Sequence, residues 1–153
     1  MMSEMLDSKF IEKYKDKKPE FGFNGLGYIV YKRTYARYLE SEGRKEEWFE
    51  TVARCVNGMQ EVSGDYSKKE LEDLYDKMFN MKVLPPGRGL WQLGTDTVRN
   101  VGANSLINCF FVPVRNIDAF TFVLDNMMLG GGCGFSVKKE DVYELPRVKK
   151  GVN

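Results

Sequence analysis

Histidine is absent from this chain of 153 residues. Its absence excludes histidine-based zinc sites, cysteine–histidine nucleophiles and serine–histidine–aspartate triads. Cysteine is scarce, and the three that occur, Cys55, Cys109 and Cys133, form no CxxC pair. An odd number of scattered cysteines predicts reduced thiols in a cytoplasmic protein rather than a disulfide framework.

Strong charge and long apolar runs are also missing. The formal net charge is +1, with lysines and acids interspersed, so we predict no nucleic-acid surface. No apolar run approaches the roughly 20 residues that a membrane span requires, and the N-terminus has no apolar signal core. The composition, 42% hydrophobic and 13% aromatic, is that of a globular domain or of a piece of a larger protein.

The first 84 residues have the periodicity of amphipathic helices, and we predict a helical domain over residues 1–84. Four segments share this periodicity: Ser3–Lys17, residues 28–41, Glu46–Met59 and the segment that follows Ser67. Ser67 and Glu70 form a capping-box pattern. Pro85 and Pro86 are predicted to end the helical part.

The composition and the periodicity of the sequence change after Pro86. The stretch PGRGLWQLGTDTVRNVGANS is rich in glycine, asparagine and threonine and has little periodicity. Such a segment is typical of a binding loop, or of a loop ordered by something else. Arg88 and Trp91 are candidates for ligand contact by charge and stacking, and anchoring of the loop to the core is an equal alternative.

The last third predicts a strand, a helix and a second strand. Ser105–Val114 reads as a buried strand, Asp118 as the N-cap of a helix that ends at Met128, and Cys133–Val137 as the next strand. Ala119, Phe122, Val123 and Met127 are expected to form the apolar face of that helix. A strand–helix–strand unit favours a parallel sheet, so the fold class is α/β or α+β.

Consecutive glycines, Gly130 to Gly132, separate the helix from the second strand. Phosphate-binding glycines follow a strand and open a helix, which is the opposite order. These glycines therefore predict close approach of the backbone to a ligand or a neighbouring strand, with a tight turn as the simpler alternative. Cys109 is either a buried inert thiol or part of a site, Cys55 is expected to be packing, and Cys133 is either packing or a second thiol near a site.

Four stretches in this order, FGFNGLGYIVYKRTYARYLE, LPPGRGLWQLGT, NSLINCFFVPV and LGGGCGFSV, resemble the N-terminal part of adenosylcobalamin-dependent (class II) ribonucleotide reductases. The likeness is closest to the monomeric ribonucleoside-triphosphate reductase branch and runs from about Phe21 to Val148. It implies that residues 85–153 begin a ten-stranded α/β barrel that is incomplete here. Cys133 departs from the family pattern, which has an aliphatic residue at that position.

The resemblance assigns roles to particular residues. It implies that Cys109 is one of two redox-active cysteines and that Asn108, Gly131 and Gly132 line the substrate pocket. The helix that begins at Asp118, with the chain after Val137, would contribute to a deoxynucleotide effector site. The basic run Arg147, Lys149 and Lys150 is either a phosphate contact there or a solvated surface.

The implied reaction reduces ribonucleoside triphosphates by radical chemistry with a thioredoxin-type reductant. The radical-bearing cysteine, the second redox cysteine and the adenosylcobalamin-binding region of the family would all lie downstream. We therefore expect this chain to be inactive without the missing C-terminal portion, supplied in cis or in trans. The alternatives are a non-catalytic helical interaction module that keeps the fold, and an unrelated nucleotide-binding protein that uses the glycine turn.

Overall fold

The computed structural model describes residues 5–147 and 151. It divides into two compact units, Met1–Leu106 and Ile107–Asn153. The first unit is mainly helical and the second contains two helices and a sheet among its described residues, so the predicted mixture of helix and sheet is confirmed at that level. Among the described residues, no helix combines the length and the apolar character needed to cross a bilayer.

The centre of the first unit is a pair of packed helices, α3 (Trp48–Ser63) and α4 (Lys68–Phe79), which the periodicity predicts. They follow α1 (Ser8–Glu12), α2 (Leu26–Thr34) and a hairpin of β1 (Tyr38–Leu39) and β2 (Arg44–Lys45). The predicted capping box is present, because the Ser67 hydroxyl accepts a hydrogen bond from the Glu70 amide and the Glu70 carboxylate accepts one from the Ser67 amide. The side chains that share the core of α3 and α4 are Trp48, Val52, Cys55, Val56, Leu71, Tyr75, Met78 and Phe79.

Two predicted helices are shorter than expected. Asp7 caps α1, which ends at Glu12 rather than Lys17, although Tyr14 is still buried in the core. The second helix ends at Thr34, and Tyr38 and Leu39 form a strand instead. The buried Glu46 explains this ending, since its carboxylate accepts a hydrogen bond from the Arg37 amide and its own amide donates to the Arg37 carbonyl.

The stretch after Pro86 is not an irregular loop. It forms α5 (Gly87–Gln92), α6 (Asp96–Val101) and a 3₁₀ turn at Ala103–Leu106. These short elements pack on α3 so closely that a Cβ on Gly58 would lie 2.2 Å from the Gly94 nitrogen. Helical structure therefore continues beyond Pro86, and the first compact unit extends to Leu106.

In the second unit, β3 (Cys109–Pro113) and β4 (Gly132–Ser136) form the predicted parallel pair. The crossover is α7 (Asp118–Met128), and α8 (Lys139–Val142) follows β4. The first strand begins at Cys109, because Ser105 belongs to the 3₁₀ turn of the first unit.

The start and the inner face of α7 also differ from prediction. Asp118 is the first helical residue and not the cap, because the Asn116 side-chain oxygen accepts the hydrogen bond from the Ala119 amide. Met127 is exposed, and the neighbouring Asn126 is buried instead. The Asn126 side-chain amide donates a hydrogen bond to the Phe122 carbonyl. The polar residue that interrupts the predicted apolar face thus faces inward because its donor is satisfied within the helix.

Candidate functional site

The parallel sheet brings together three of the residues predicted to form a site. Cys109 is the register partner of Gly132, and the Gly132 amide donates a hydrogen bond of 2.9 Å to the Asn108 carbonyl. Asn108 and Cys109 are exposed. The end of β3 that carries the thiol therefore lies directly beside the glycine turn.

The face of the sheet that carries the Cys109 thiol is open at Gly132, while the Phe111 ring lies beside Gly134. Side chains alternate between the two faces of a strand, so Cys109 and Phe111 share a face with Gly132 and Gly134. A Cβ on Gly132 would find no atom nearer than the Asn108 carbonyl oxygen, at 3.8 Å. A ligand can therefore lie against the backbone of β4 while it contacts the thiol on β3.

Gly131 is different from Gly132. It is buried, and a Cβ there would lie 2.4 Å from a ring carbon of Phe110. Its amide donates to the Asn126 carbonyl at the end of α7. The structure thus gives Gly131 a packing reason to be glycine, whereas Gly132 borders open space on the side of the thiol.

Cys133 lies on the opposite face of the sheet from Cys109. It is the register partner of Phe110, whose ring packs edge-on against Phe122 of α7. The half-buried Cys133 sulfur is 3.7 Å from the Val123 carbonyl oxygen. Because the two side chains project in opposite directions, Cys133 is not placed to form a disulfide with Cys109.

Cys55 has the inert environment that the sequence predicts. It lies fully buried in the helical unit, and burial raises the pKa of its thiol to about 12, although the neighbouring Arg54 guanidinium acts in the other direction. A thiol with so high a pKa is a poor nucleophile at neutral pH, since the thiolate is the reactive form.

The remaining predicted residues are more scattered. Asp118 is exposed at the start of α7, and Arg147 is exposed near the end of the described chain, while Lys149 and Lys150 lie outside the described residues.

In the helical unit, an Arg88 guanidinium nitrogen is 3.4 Å from the Ser105 carbonyl oxygen, and the Trp91 carbonyl accepts a hydrogen bond from Arg37. The Arg88 contact favours anchoring of the segment, whereas the Trp91 side chain is 46% exposed and is not packed into the core.

Sequence reasoning missed one buried carboxylate in the second unit. Asp141 of α8 accepts hydrogen bonds from the Ser136 hydroxyl (2.6 Å) and from the Arg115 guanidinium (2.8 Å). These two donors hold the pKa of Asp141 below its usual value. These hydrogen bonds connect α8 to the carboxyl ends of both strands. Local sequence patterns do not predict a contact between residues so far apart.

No group of three or more histidine, cysteine, aspartate or glutamate side chains is arranged to hold a metal ion in residues 5–147. The candidate site therefore consists of one exposed thiol, the adjacent Asn108 and a strand whose glycines leave the backbone accessible.

Comparison with known proteins places these features in context. A family model described as the ribonucleotide reductase alpha domain matches residues 6–95. The adenosylcobalamin-dependent ribonucleoside-triphosphate reductase of Euglena gracilis is 42% identical over 93% of this chain and 22% of its own length. The enzyme of that name from Lactobacillus leichmannii is 37% identical over 94% of this chain and 23% of its own length.

Among solved structures, the chain is similar to a crystal structure of a B12-dependent (class II) ribonucleotide reductase. The TM-score is 0.84 at 35% identity, and the similarity covers 97% of this chain and 25% of that one. The chain thus spans about a quarter or less of the proteins it matches.

Proposed function

The chain belongs to the ribonucleotide reductase family, and from that premise we propose that it is the N-terminal part of an adenosylcobalamin-dependent ribonucleoside-triphosphate reductase. The whole protein would reduce ribonucleoside triphosphates to 2′-deoxyribonucleoside triphosphates in the cytoplasm. The observation that carries the proposal is the exposed Cys109 thiol beside Gly132, where the face of the sheet is open.

The chemistry needs two thiols. The C–O bond at the 2′ carbon of the ribose breaks, a C–H bond forms, and the oxygen leaves as water. The two thiols supply both hydrogens and end joined as a disulfide, which an external thioredoxin-type dithiol reduces by thiol–disulfide exchange. Cys109 is assigned as one of these thiols.

The second thiol is proposed to lie in polypeptide beyond this segment. Cys133 projects from the other face of the sheet, and Cys55 is buried in the helical core. Neither can therefore serve as the partner of Cys109. This supports the expectation that the segment is inactive until the remaining polypeptide is supplied.

Substrate binding is assigned to the face of β4 that is open at Gly132. Gly132 and the neighbouring Asn108 border the thiol, so a ribose laid against this backbone would present its hydroxyls to Cys109. Gly131 would act indirectly, because its packing against Phe110 sets the position of the turn.

The cofactor does not fit the described residues. A cavity of about 670 Å³ in the helical unit is inside the roughly 300–1,000 Å³ range of sites for drug-sized ligands, and a corrin with its nucleotide tail is larger than such ligands. Adenosylcobalamin would supply the radical in the whole protein, and we assign its binding to the downstream polypeptide.

The β3–α7–β4 unit is proposed to begin the α/β barrel, and α7 to contribute to a deoxynucleotide effector site. The exposed Asp118 carboxylate at the start of α7 can accept hydrogen bonds from ribose hydroxyl groups. The chain after Val137 would complete that site.

The test is multiple turnover by the whole protein, with this segment either fused to or mixed with the remaining polypeptide. Cys109→Ser should abolish multiple turnover with a thioredoxin-type reductant, because no disulfide can form and be recycled. Cys133→Ser is the matched control and should keep turning over, since its sulfur faces α7. Sustained turnover by the Cys109→Ser protein would overturn the assignment.

A further inference from the structure

The helical unit contains a cavity of about 670 Å³ that the proposed reaction does not use. Its polar wall is the turn from Lys15 to Lys18 that follows α1, and its other walls include Phe21, Tyr28 and Phe49. All of its lining residues lie within the first unit. The volume falls in the roughly 300–1,000 Å³ range of small-molecule sites.

Aromatic rings form one side of this cavity. The Phe21 ring packs edge-on against Tyr28 (5.4 Å between centroids) and against Trp48 (5.3 Å). Trp48 is held in place because its indole N–H donates to the Phe79 carbonyl, whereas Tyr28 remains 40% exposed. A rigid set of rings with one accessible member is suited to stacking on a flat aromatic ligand.

The lining of the cavity also carries positive charge. Lys17 lies over the Tyr14 ring at 4.1 Å, and Lys15 and Lys18 are exposed and have no acidic partner in the part of the chain that the structure describes. Two carboxylates also line the cavity. The Glu47 carboxylate is bound by Lys32 and Tyr28. Of the other charged lining residues, Asp16 is acidic and Lys15, Lys17 and Lys18 are basic, so their sum is positive.

Two glycines leave the backbone of the cavity accessible. Gly22 and Gly25 have positive φ values of 63° and 88°, which other residues rarely adopt. A Cβ added to either would meet no atom within 4 Å, so both border open space. The 3₁₀ turn at Phe23–Gly25 can therefore contact a ligand through its backbone.

We propose that this cavity binds a small phosphorylated compound that carries a flat aromatic ring. The ring would stack on Tyr28 and Phe21. The phosphate oxygens would accept charge-assisted hydrogen bonds from the ammonium groups of Lys15 and Lys18. The site is independent of Cys109 and of the proposed reaction, so its test requires no turnover.

The experiment is titration calorimetry on the complete 153-residue chain with AMP, adenosine and inorganic phosphate as probes. AMP should bind saturably, and adenosine and phosphate should each bind at least about tenfold more weakly, because each lacks one of the two interactions. Lys15→Ala/Lys18→Ala should weaken AMP binding about tenfold or more by the same reasoning. Tyr28→Leu should weaken the binding of both AMP and adenosine.

The matched control is Lys9→Ala/Lys69→Ala, which removes the same charge from exposed lysines outside the cavity and should leave AMP binding unchanged. Circular dichroism would show that each variant keeps its helices. The proposal is overturned if AMP does not saturate at millimolar concentration, if phosphate binds as tightly as AMP, or if both double variants weaken binding equally.

Discussion

At the scale of single residues, two neighbouring positions in one turn are occupied by glycine for different physical reasons. Gly131 has no room for a side chain because the Phe110 ring occupies the position of its Cβ, whereas Gly132 faces open space. Sequence alone cannot separate the two, since both are simply glycines between a helix and a strand.

A pair of alanine substitutions tests this difference. In the whole protein, where the unit is expected to be covered, Gly131→Ala should lower the free energy of unfolding by about 1–3 kcal/mol, because the added methyl group overpacks against Phe110. Gly132→Ala should leave stability within about 0.5 kcal/mol and instead raise the KM for substrate in the whole protein. Chemical denaturation and steady-state kinetics measure the two effects, and an equal loss of stability in both variants would contradict the packing described for Gly131.

The three cysteines show how far residue-level prediction reached. The apolar stripe of α3 predicted the buried Cys55, because a helix with regular spacing fixes which residues face the core. The default for a cysteine in LINCFF is also burial, yet Cys109 is exposed. Its exposure depends on which face of β3 is covered by α7, and that is set by strand pairing rather than by local sequence.

At the scale of elements, Arg54 connects α3 to the segment that follows Pro86. Its guanidinium binds the carboxylate of Glu46, which is buried, and donates to the Leu90 and Leu93 carbonyls at the end of α5. One side chain therefore satisfies both a buried charge and the unpaired carbonyls of a helix end.

Removal of this side chain should be costly. Arg54→Ala is expected to lower the free energy of unfolding by about 3–5 kcal/mol, because it leaves the Glu46 carboxylate buried without its cation. Arg99→Ala, which breaks the exposed ion pairs with Glu61 and Asp96, should cost about 0–1 kcal/mol. Urea denaturation measures the free energy of unfolding of both variants. Similar losses in the two would show that the Arg54 contacts do not stabilise the packing of α5 on α3.

Element prediction succeeded where local signals were sufficient. The helices α3 and α4 have long apolar stripes, and Ser67 and Glu70 mark the start of α4. The helix after Pro86 and the hairpin at Tyr38 were missed, because they depend on contacts of Arg54 with Leu90, 36 residues away, and of Glu46 with Arg37, nine residues away. Periodicity cannot report a contact of that kind.

At the scale of the whole molecule, the second unit exposes much apolar surface. The outer side of α7 carries large exposed side chains that recur every three or four residues: Ile117, Phe120, Leu124, Met127 and Met128. The sheet of this unit has two strands, and such a sheet is marginally stable without further packing. This exposure is expected if further polypeptide of the whole protein normally covers the unit.

Hydrogen exchange tests that expectation. In the 153-residue chain, amides of β3 and β4 should exchange much faster than those of α3, whose residues Val52–Val56 are mostly buried. Addition of the remaining polypeptide should slow exchange in β3 and β4 and leave α3 nearly unchanged. Equal protection of both units in the chain alone would show that the second unit is stable without the rest.

The most direct test of the central claim is to locate the disulfide that forms during turnover. The whole protein would be allowed to turn over without an external reductant, denatured, alkylated and mapped by mass spectrometry. The account predicts a disulfide between Cys109 and a cysteine beyond residue 153, with Cys55 and Cys133 recovered as alkylated thiols. Recovery of Cys109 as a free thiol after product has formed, or its linkage to Cys133, would contradict it.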